Sequence, residues 1–406
     1  MQPTTILADV TELAAFPNRT GIQRVVRAAL RYWPTNHPVL PCRFDAGLNA
    51  LVALPPQAVA LLTEADPSIR SLSADVLKAE LNKALAAGPS EPIDMNQPVR
   101  VFVPELFFDS ARASFYRKLL ARDPQAAAFL VYDFIPWLQP DLLQVDRTHR
   151  LMPYLAVLLA ARRLAFISKA TQDAFARRIR RHGQVEGMVL PLGADALLTD
   201  GVLQRQSFHQ DRQLFVALGS IDGRKNQDLM ATAFARLRAA GVPVRLAIVG
   251  GVFENRRAQA QAAVVKALAA ADPDGIRHVS EASDAEVAAL FAEARATLYL
   301  SDAEGYGLPP IEGLAAGIPT VVGGEVPSVT ELPPRGWARL PTLSVEALVE
   351  AVEQLNDDDR ASALWAEAAA LNLPTWRGFG TATAAWLQGT DPVSRPITDE
   401  VHAVGA

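Results

Sequence analysis

The chain has one cysteine, Cys42, so no internal disulfide can staple the fold. Histidine is also scarce. The six histidines, at 37, 149, 182, 209, 278 and 402, show no metal-ligand spacing, which argues against a structural zinc site. No run reaches the roughly 18 apolar residues of a spanning helix. The nearest, Leu155–Ile167, is interrupted by Arg162 and Arg163. Met1–Thr5 carry no positive charge, and no small-residue cleavage site follows an apolar stretch. No signal peptide is expected, and a cytoplasmic location is. Excess basic charge is missing too: 39 Lys/Arg stand against 44 Asp/Glu. Without aromatic–basic interleaving, that balance argues against nucleic acid as a partner. Repeats and long low-complexity tracts are absent.

What is present is a globular composition, 50% hydrophobic over 406 residues, too long for one comfortable core. Strand-like and helix-like runs alternate, which predicts α/β architecture with parallel sheets. In the first half the strands are Thr5–Val10, Val101–Val103, Ala127–Tyr132 and Arg163–Ile167. A helix opens after Thr20-Gly21, and Ser168 is placed to cap another. Residues 45–98 are weakly patterned apart from a helix-like Leu72–Ala86. A second unit begins near 212, with strands Leu214–Leu218, Val244–Val249, Ile276–Val279 and Ala296–Leu300. Helices Asn226–Ala240 and Asp284–Ala294 lie among them, the latter behind a Ser283/Glu286 capping box. The expected divisions are 1–200, 201–372 and a crossover helix with tail, 373–406, with a polar linker at 193–211. Charge differs between the halves. Residues 1–200 hold 22 Lys/Arg and 19 Asp/Glu; the rest hold 17 and 25. The basic run 177–182 is either a solvated helix face or a contact for anionic lipid headgroups. The Asp357-Asp358-Asp359 run lies outside the strand–helix turns and reads as a solvated helix start.

The densest chemistry lies in residues 301–322. Glu304 and Glu312 flank Gly305-Tyr306-Gly307-Leu308-Pro309-Pro310, between a strand and a helix read as Ile311–Ala316. A glycine turn entering a helix presents backbone N–H groups to an anion. Two carboxylates around it can accept hydrogen bonds from a polyhydroxyl ligand. The bland alternative is an ordinary turn with exposed glutamates. Arg224-Lys225-Asn226 follows the strand Leu214–Leu218. An Arg fork beside a Lys point charge at a strand's C-terminal end suits a diphosphate; elsewhere such a pair would be surface decoration. Thr20-Gly21-Ile22-Gln23-Arg24-Val25 opens the first helix, where Thr20 serves at least as N-cap. Tyr132-Asp133 ends a strand. Asp133 is placed either to orient or deprotonate a hydroxyl or to cap the following turn.

The 301–322 segment resembles the donor-binding motif of retaining glycosyltransferases of family four, which have the GT-B fold. There, two glutamates flank just such a Gly-aromatic-Gly-Leu-Pro turn. The Arg224-Lys225-Asn226 segment is similar to that family's phosphate-holding Arg-Lys pair. The likeness is weak over 35–98. Thr20-Gly21 replaces the common Gly-Gly and resembles a subset involved in bacterial surface polysaccharide synthesis, including mannosyl- and rhamnosyl-type transferases. Tyr132 replaces a family histidine, so that residue's role does not carry over.

The resemblance implies two Rossmann-like domains facing a central cleft, with a C-terminal helix from Thr375-Trp376 crossing back to the first. It implies a nucleotide-diphosphate sugar as donor, and a glycan or lipid-linked glycan such as a lipopolysaccharide precursor as acceptor. Asp133, Arg224, Lys225 and Glu304 are the implied catalytic residues. Gly21, Tyr306, Gly307, Leu308 and Glu312 would bind the donor; Thr20 and Tyr132 would lie on the acceptor side. No metal or other cofactor is expected, because the cation pair and helix N–H groups would neutralise the leaving diphosphate. A peripheral position on the inner membrane face is the further implication. The alternative is a non-catalytic sugar-nucleotide-binding scaffold of the same fold.

Overall fold

The computed structural model describes residues 5–64, 66–89, 91–97, 99–142, 145–180, 185–389 and 395–397. The chain divides into two compact units, residues 1–192 with 376–406, and residues 193–375.

In the first unit the strands are β1 (Thr5–Asp9), β2 (Val39–Asp45), β3 (Ala50–Ala53), β4 (Val99–Val103), β5 (Ala127–Val131), β6 (Arg163–Phe166) and β7 (Val185–Val189). Together with Arg395–Ile397 they form an eight-stranded sheet in the order Arg395–Ile397, β7, β6, β5, β4, β1, β2, β3. The two edge strands pair antiparallel and the remainder parallel. Every residue of β5 is buried, as a parallel strand covered on both faces should be. The weakly patterned stretch thus conceals part of the β2–β3 pair. Pro41 within β2 masks that strand's signal.

Helices α1 (Thr11–Ala15) and α2 (Gly21–Arg31) follow β1. Helices α3 (Ser110–Arg122), α4 (Met152–Ala160) and α5 (Lys169–Ala174) lie between successive strands from β4 to β7. Right-handed crossovers progressing in one direction place all three on one face of the sheet. Accordingly Tyr116, Tyr154 and Phe175 share one core with Val101, Phe129 and Phe166. Ser168 caps α5, its Oγ accepting from the Thr171 N–H at 3.1 Å.

Helix Trp376–Gln388 belongs to this first unit and packs against α2. A Cβ on Gly380 would lie 2.3 Å from the Tyr32 carbonyl oxygen, so the crossing admits only glycine. The carbonyls of Trp386 and Leu387 accept from Arg163 at 2.5 and 3.2 Å, and Arg100 donates to Leu387 at 2.5 Å. Cations there complement the negative end of the helix dipole. The C-terminal helix therefore returns to the first unit, with Trp376 and Trp386 buried as packing residues.

The second unit has β8 (Leu214–Leu218), β9 (Arg245–Val249), β10 (Ile276–Val279), β11 (Ala294–Leu300), β12 (Thr320–Gly323) and β13 (Trp337–Arg339). They form one parallel sheet in the order β10, β9, β8, β11, β12, β13. Helix α6 (Gln227–Ala239) follows β8, and α7 (Leu308–Ala315) follows β11. The segment 193–211 is not a free linker. Leu203 is buried, Phe208 packs on Trp365, and the Gln206 N–H donates to the Ala316 carbonyl at 2.7 Å. Helix α7 begins three residues before the Ile311 expected from sequence. Pro309 and Pro310 sit in its first turn, where no intrahelical N–H bond is required. Asp357 caps the helix Asp358–Ala369, accepting from the Arg360 N–H at 2.9 Å.

Candidate functional site

Strands β8 and β11 are neighbours and parallel, so their C-terminal ends open on the same edge of the sheet. Open α/β sheets bind ligands at that edge. Two loops meet there, Gly219–Asn226 after β8 and Ser301–Gly307 after β11.

Arg224 fastens the loops together. Its Nη1 donates to the Ala303 carbonyl at 2.8 Å, and its Nη2 to Asp222 Oδ2 at 2.8 Å. Asp222 Oδ1 accepts from the Arg224 N–H at 2.9 Å. The Asp302 N–H and the Asn226 side chain both donate to the Arg224 carbonyl, at 2.9 and 3.1 Å. Nη1 also lies 3.9 Å from Glu304 Oε1. Burial works against the guanidinium charge, but Glu304 and Asp222 outweigh it and hold its pKa above the ordinary value.

Lys225 is placed differently. Among the described residues its ammonium has no carboxylate or hydrogen-bond partner; it lies over the Tyr299 ring, 5.6 Å from the centroid. Gly219 makes room for it. A Cβ there would be 2.8 Å from Lys225 Nζ, and the backbone has φ +136°. Asn226, at φ 49°, turns the chain into α6.

Glu304 is oriented by β11. Its Oε1 accepts from the Tyr299 hydroxyl at 3.0 Å and the Ser301 hydroxyl at 2.9 Å. Burial, and then the Glu304 charge, push the Tyr299 phenol well above its usual pKa, so it stays a donor. Gly307 sits at the α7 N-cap with φ 95°, and a Cβ there would be 2.6 Å from Val326 Cγ1. Ser328 fixes this turn: its N–H donates to the Tyr306 carbonyl at 2.9 Å and its hydroxyl to that of Gly307 at 2.5 Å. Tyr306 and Leu308 are buried beside it. Glu312, in the first turns of α7, is 3% exposed. The second unit therefore gathers Arg224, Lys225, Glu304, Tyr306, Gly307, Leu308 and Glu312 around adjacent strand ends. Sequence reasoning missed Asp222, Tyr299, Ser301 and Ser328. Tyr299 and Ser301 sit two residues apart at the end of β11, so strand alternation placed both on one face.

The other candidates lie in the first unit. Thr20 caps α2: its N–H and hydroxyl donate to Gln23 Oε1 at 3.3 and 2.7 Å. Gly21 is exposed, and a Cβ there would meet nothing within 4 Å. The Tyr132 hydroxyl donates to the buried Pro104 carbonyl at 2.5 Å. Asp133 Oδ1 accepts from the Ile135 N–H at 3.0 Å, a turn-capping contact. Of the basic run 177–182, Arg181 and His182 lie outside the described residues.

A buried polar cluster beneath β1 was not anticipated. Asp9 Oδ2 accepts from Arg112 Nη2 at 2.8 Å and from the Tyr116 hydroxyl. Arg112 also donates to Glu105 Oε1 at 2.9 Å. Glu105 in turn accepts the Glu12 and Leu13 N–H groups, at 2.6 and 3.1 Å, and so holds the start of α1. Burial pushes the Glu105 carboxyl up, against the opposing pull of Arg112. No local pattern signals this cluster, because Asp9 and Arg112 lie 103 residues apart.

Residues 202–371 match the family model described as glycosyl transferases group 1. No curated protein sequence matches the chain. Among solved structures, sucrose-phosphate synthase from Thermosynechococcus elongatus superposes with a TM-score of 0.59 at 17% identity, covering 95% of this chain and 97% of that one. The UDP-forming alpha,alpha-trehalose-phosphate synthase from Burkholderia vietnamiensis gives 0.58 at 14%, covering 96% and 99%. The Anabaena protein HepE in complex with UDP and glucose gives 0.58 at 14%, covering 94% and 98%. The fold is GT-B, with two mostly parallel-sheet units, and the stretch similar to glycosyl transferases group 1 lies within the second unit.

Proposed function

We propose that the protein is a retaining glycosyltransferase. It would move a hexose from a nucleotide-diphosphate sugar to a glycan or lipid-linked glycan, in bacterial polysaccharide synthesis of the mannosyl or rhamnosyl type. The observation that carries this reading is Lys225. Lys225 is half-buried, and its ammonium lacks an anionic partner among the described residues and lies beside Gly219 and the Tyr299 ring at the C-terminal edge of the sheet. That the Anabaena protein HepE holds UDP and glucose supports a nucleotide-sugar donor.

In this reading the second unit holds the donor. Lys225, the remaining donors of Arg224 and the N–H groups near Tyr306–Leu308 stabilise charge growing on the leaving diphosphate. Glu304, kept in place by Tyr299 and Ser301, accepts hydrogen bonds from sugar hydroxyls. Glu312 takes the ribose. In the first unit, Thr20-Gly21 and Tyr132-Asp133 attend the acceptor, with Asp133 orienting its hydroxyl. The departing phosphate assists deprotonation on the same face of the sugar. Because cationic side chains supply the neutralising charge, no metal is required.

Calorimetry of the purified protein against common nucleotide sugars identifies the donor, and release of free nucleotide reports turnover. Binding without any turnover would leave the non-catalytic scaffold instead. Loss of activity in EDTA with rescue by Mg²⁺ or Mn²⁺ would replace the cation-based mechanism.

A further inference from the structure

Helix α7 opens with few donors. Pro309 and Pro310 occupy its first turn and carry no N–H. The helix therefore presents the N–H groups of Gly307 and Leu308 ahead of its first intrahelical bond. Both residues are buried, Leu308 at 7% exposure. Among the described residues neither N–H has a hydrogen-bond partner. Buried backbone N–H groups left unpaired are rare. Two in succession mark a place where an oxygen from outside the chain completes them.

One residue sets the direction of both groups. The Ser328 N–H donates to the Tyr306 carbonyl at 2.9 Å, and its hydroxyl donates to the Gly307 carbonyl at 2.5 Å. A trans peptide is planar, with its C=O and N–H pointing opposite ways. The Tyr306 carbonyl shares a peptide with the Gly307 N–H, and the Gly307 carbonyl shares one with the Leu308 N–H. Drawing both carbonyls onto Ser328 therefore aims both N–H groups away from it. Ser328 is 3% exposed and firmly mounted. Its neighbours Val326 and Val329 are fully buried, in one core with Tyr299 and Leu314.

We infer that Ser328 is a positioning residue for the donor's diphosphate, holding two consecutive peptides so that the Gly307 and Leu308 N–H groups meet phosphate oxygens. Successive N–H groups aimed together make an anion-binding concavity. The inference rests on the donor reading above and deepens it. In the chain, this turn lies between Glu304, read there as holding the sugar, and Glu312, read as holding the ribose; the diphosphate joins those two groups. Ser328 itself touches no substrate and acts through the two peptides.

The test compares nucleoside diphosphates with their nucleosides. Calorimetry gives the affinities of wild type and variants for UDP, GDP, ADP and dTDP, and competition against the one that binds gives that of its nucleoside. Ser328→Ala removes the hydroxyl bond and keeps the backbone one. It should weaken the diphosphate about tenfold, the low end for a hydrogen bond to a charged group, and leave the nucleoside unchanged. Turnover should fall at least as far, because charge grows on the diphosphate as the glycosidic bond breaks. Ser328→Thr keeps the hydroxyl and should retain the diphosphate affinity. A folded alanine variant with wild-type diphosphate affinity overturns the inference. So does one that loses diphosphate and nucleoside together, which is the mark of a merely structural serine, and so do equal losses in the alanine and threonine variants. Hydrogen exchange of the wild type supplies a reading that depends on no variant folding. The Gly307 and Leu308 amides should be protected by saturating diphosphate and not by the nucleoside; equal exchange in the two overturns the inference. A wild type that binds none of the four diphosphates removes the donor reading, and this inference with it. Diphosphate binding that Ser328→Ala leaves intact removes only the positioning role.

Discussion

Replacing Lys225 by alanine tests the donor site with little confounding. The ammonium is in no ion pair among the described residues, and its contact is the Tyr299 ring at 5.6 Å. The cation–π contact of this half-buried side chain is worth about 1 kcal/mol. A loss of that size lowers the melting temperature by only about 2–4 °C in a domain of this size. If Lys225 meets the diphosphate, the loss in turnover is far larger. Removing one charged donor from a developing anion costs about 2.7–4 kcal/mol, or about 100- to 1,000-fold in kcat. Arg224→Ala should behave differently. It also breaks the contacts to Asp222 and Ala303 that join the two loops, each charged bond being worth about 1.5–3 kcal/mol. That variant should lose stability and turnover together. The assays are steady-state release of nucleotide and thermal melting, run side by side. A Lys225→Ala enzyme with near wild-type turnover would refute the reasoning. So would one that melts as early as Arg224→Ala, because Lys225 would then be structural.

Tyr299→Phe keeps the ring beneath Lys225 but removes the hydrogen bond that orients Glu304. Loss of one such bond, about 0.5–3 kcal/mol, should appear mainly in kcat, with nucleotide affinity from calorimetry unchanged. Gly21→Ala should leave melting unchanged or slightly raised, since a Cβ meets nothing within 4 Å. A fall in turnover would then report a ligand at that surface, and unchanged turnover would remove Gly21 from the site. Arg112→Ala should destabilise the first unit by about 3–5 kcal/mol, because it leaves Asp9 and Glu105 as buried charges without their cation. Denaturant melts check this, and a loss under about 1 kcal/mol would show the cluster to be neutral or hydrated.

What the sequence disclosed was mostly local. The Ser283/Glu286 box, the Ser168 cap and the strand ends at Leu218 and Leu300 each follow from residues within a few positions of one another. The donor-site candidates were legible for the same reason, since two short loops carry nearly all of them. Helix Arg256–Ala271 went unread because its alanines and glutamines give a shallow apolar face. The segment 193–211 looked like a linker because its buried contacts are made to distant Ala316 and Trp365. The cluster of Asp9, Glu105 and Arg112 depends on chain separation that periodicity cannot report.

Arg224 and Lys225 show where the adjacency of two like residues misleads. Read together they form one cationic pair, yet the fold gives them opposite assignments. Gly223, at φ +86°, and Asn226, at φ 49°, bend the loop sharply on either side of the pair. One side chain therefore turns inward to Asp222 and Ala303, and the other toward Gly219 and the Tyr299 ring. The planar Arg fork suits the inward place, where it binds a carboxylate and a carbonyl at once. The Lys point charge suits the other place, where under the proposed function an incoming diphosphate would set the geometry. Exchanging the two, as Arg224→Lys with Lys225→Arg, keeps the charge and should still cost both stability and turnover. Single-site substitutions combined in a double-mutant cycle would show it, and a fully active exchanged enzyme would mean that charge alone, not placement, governs the site.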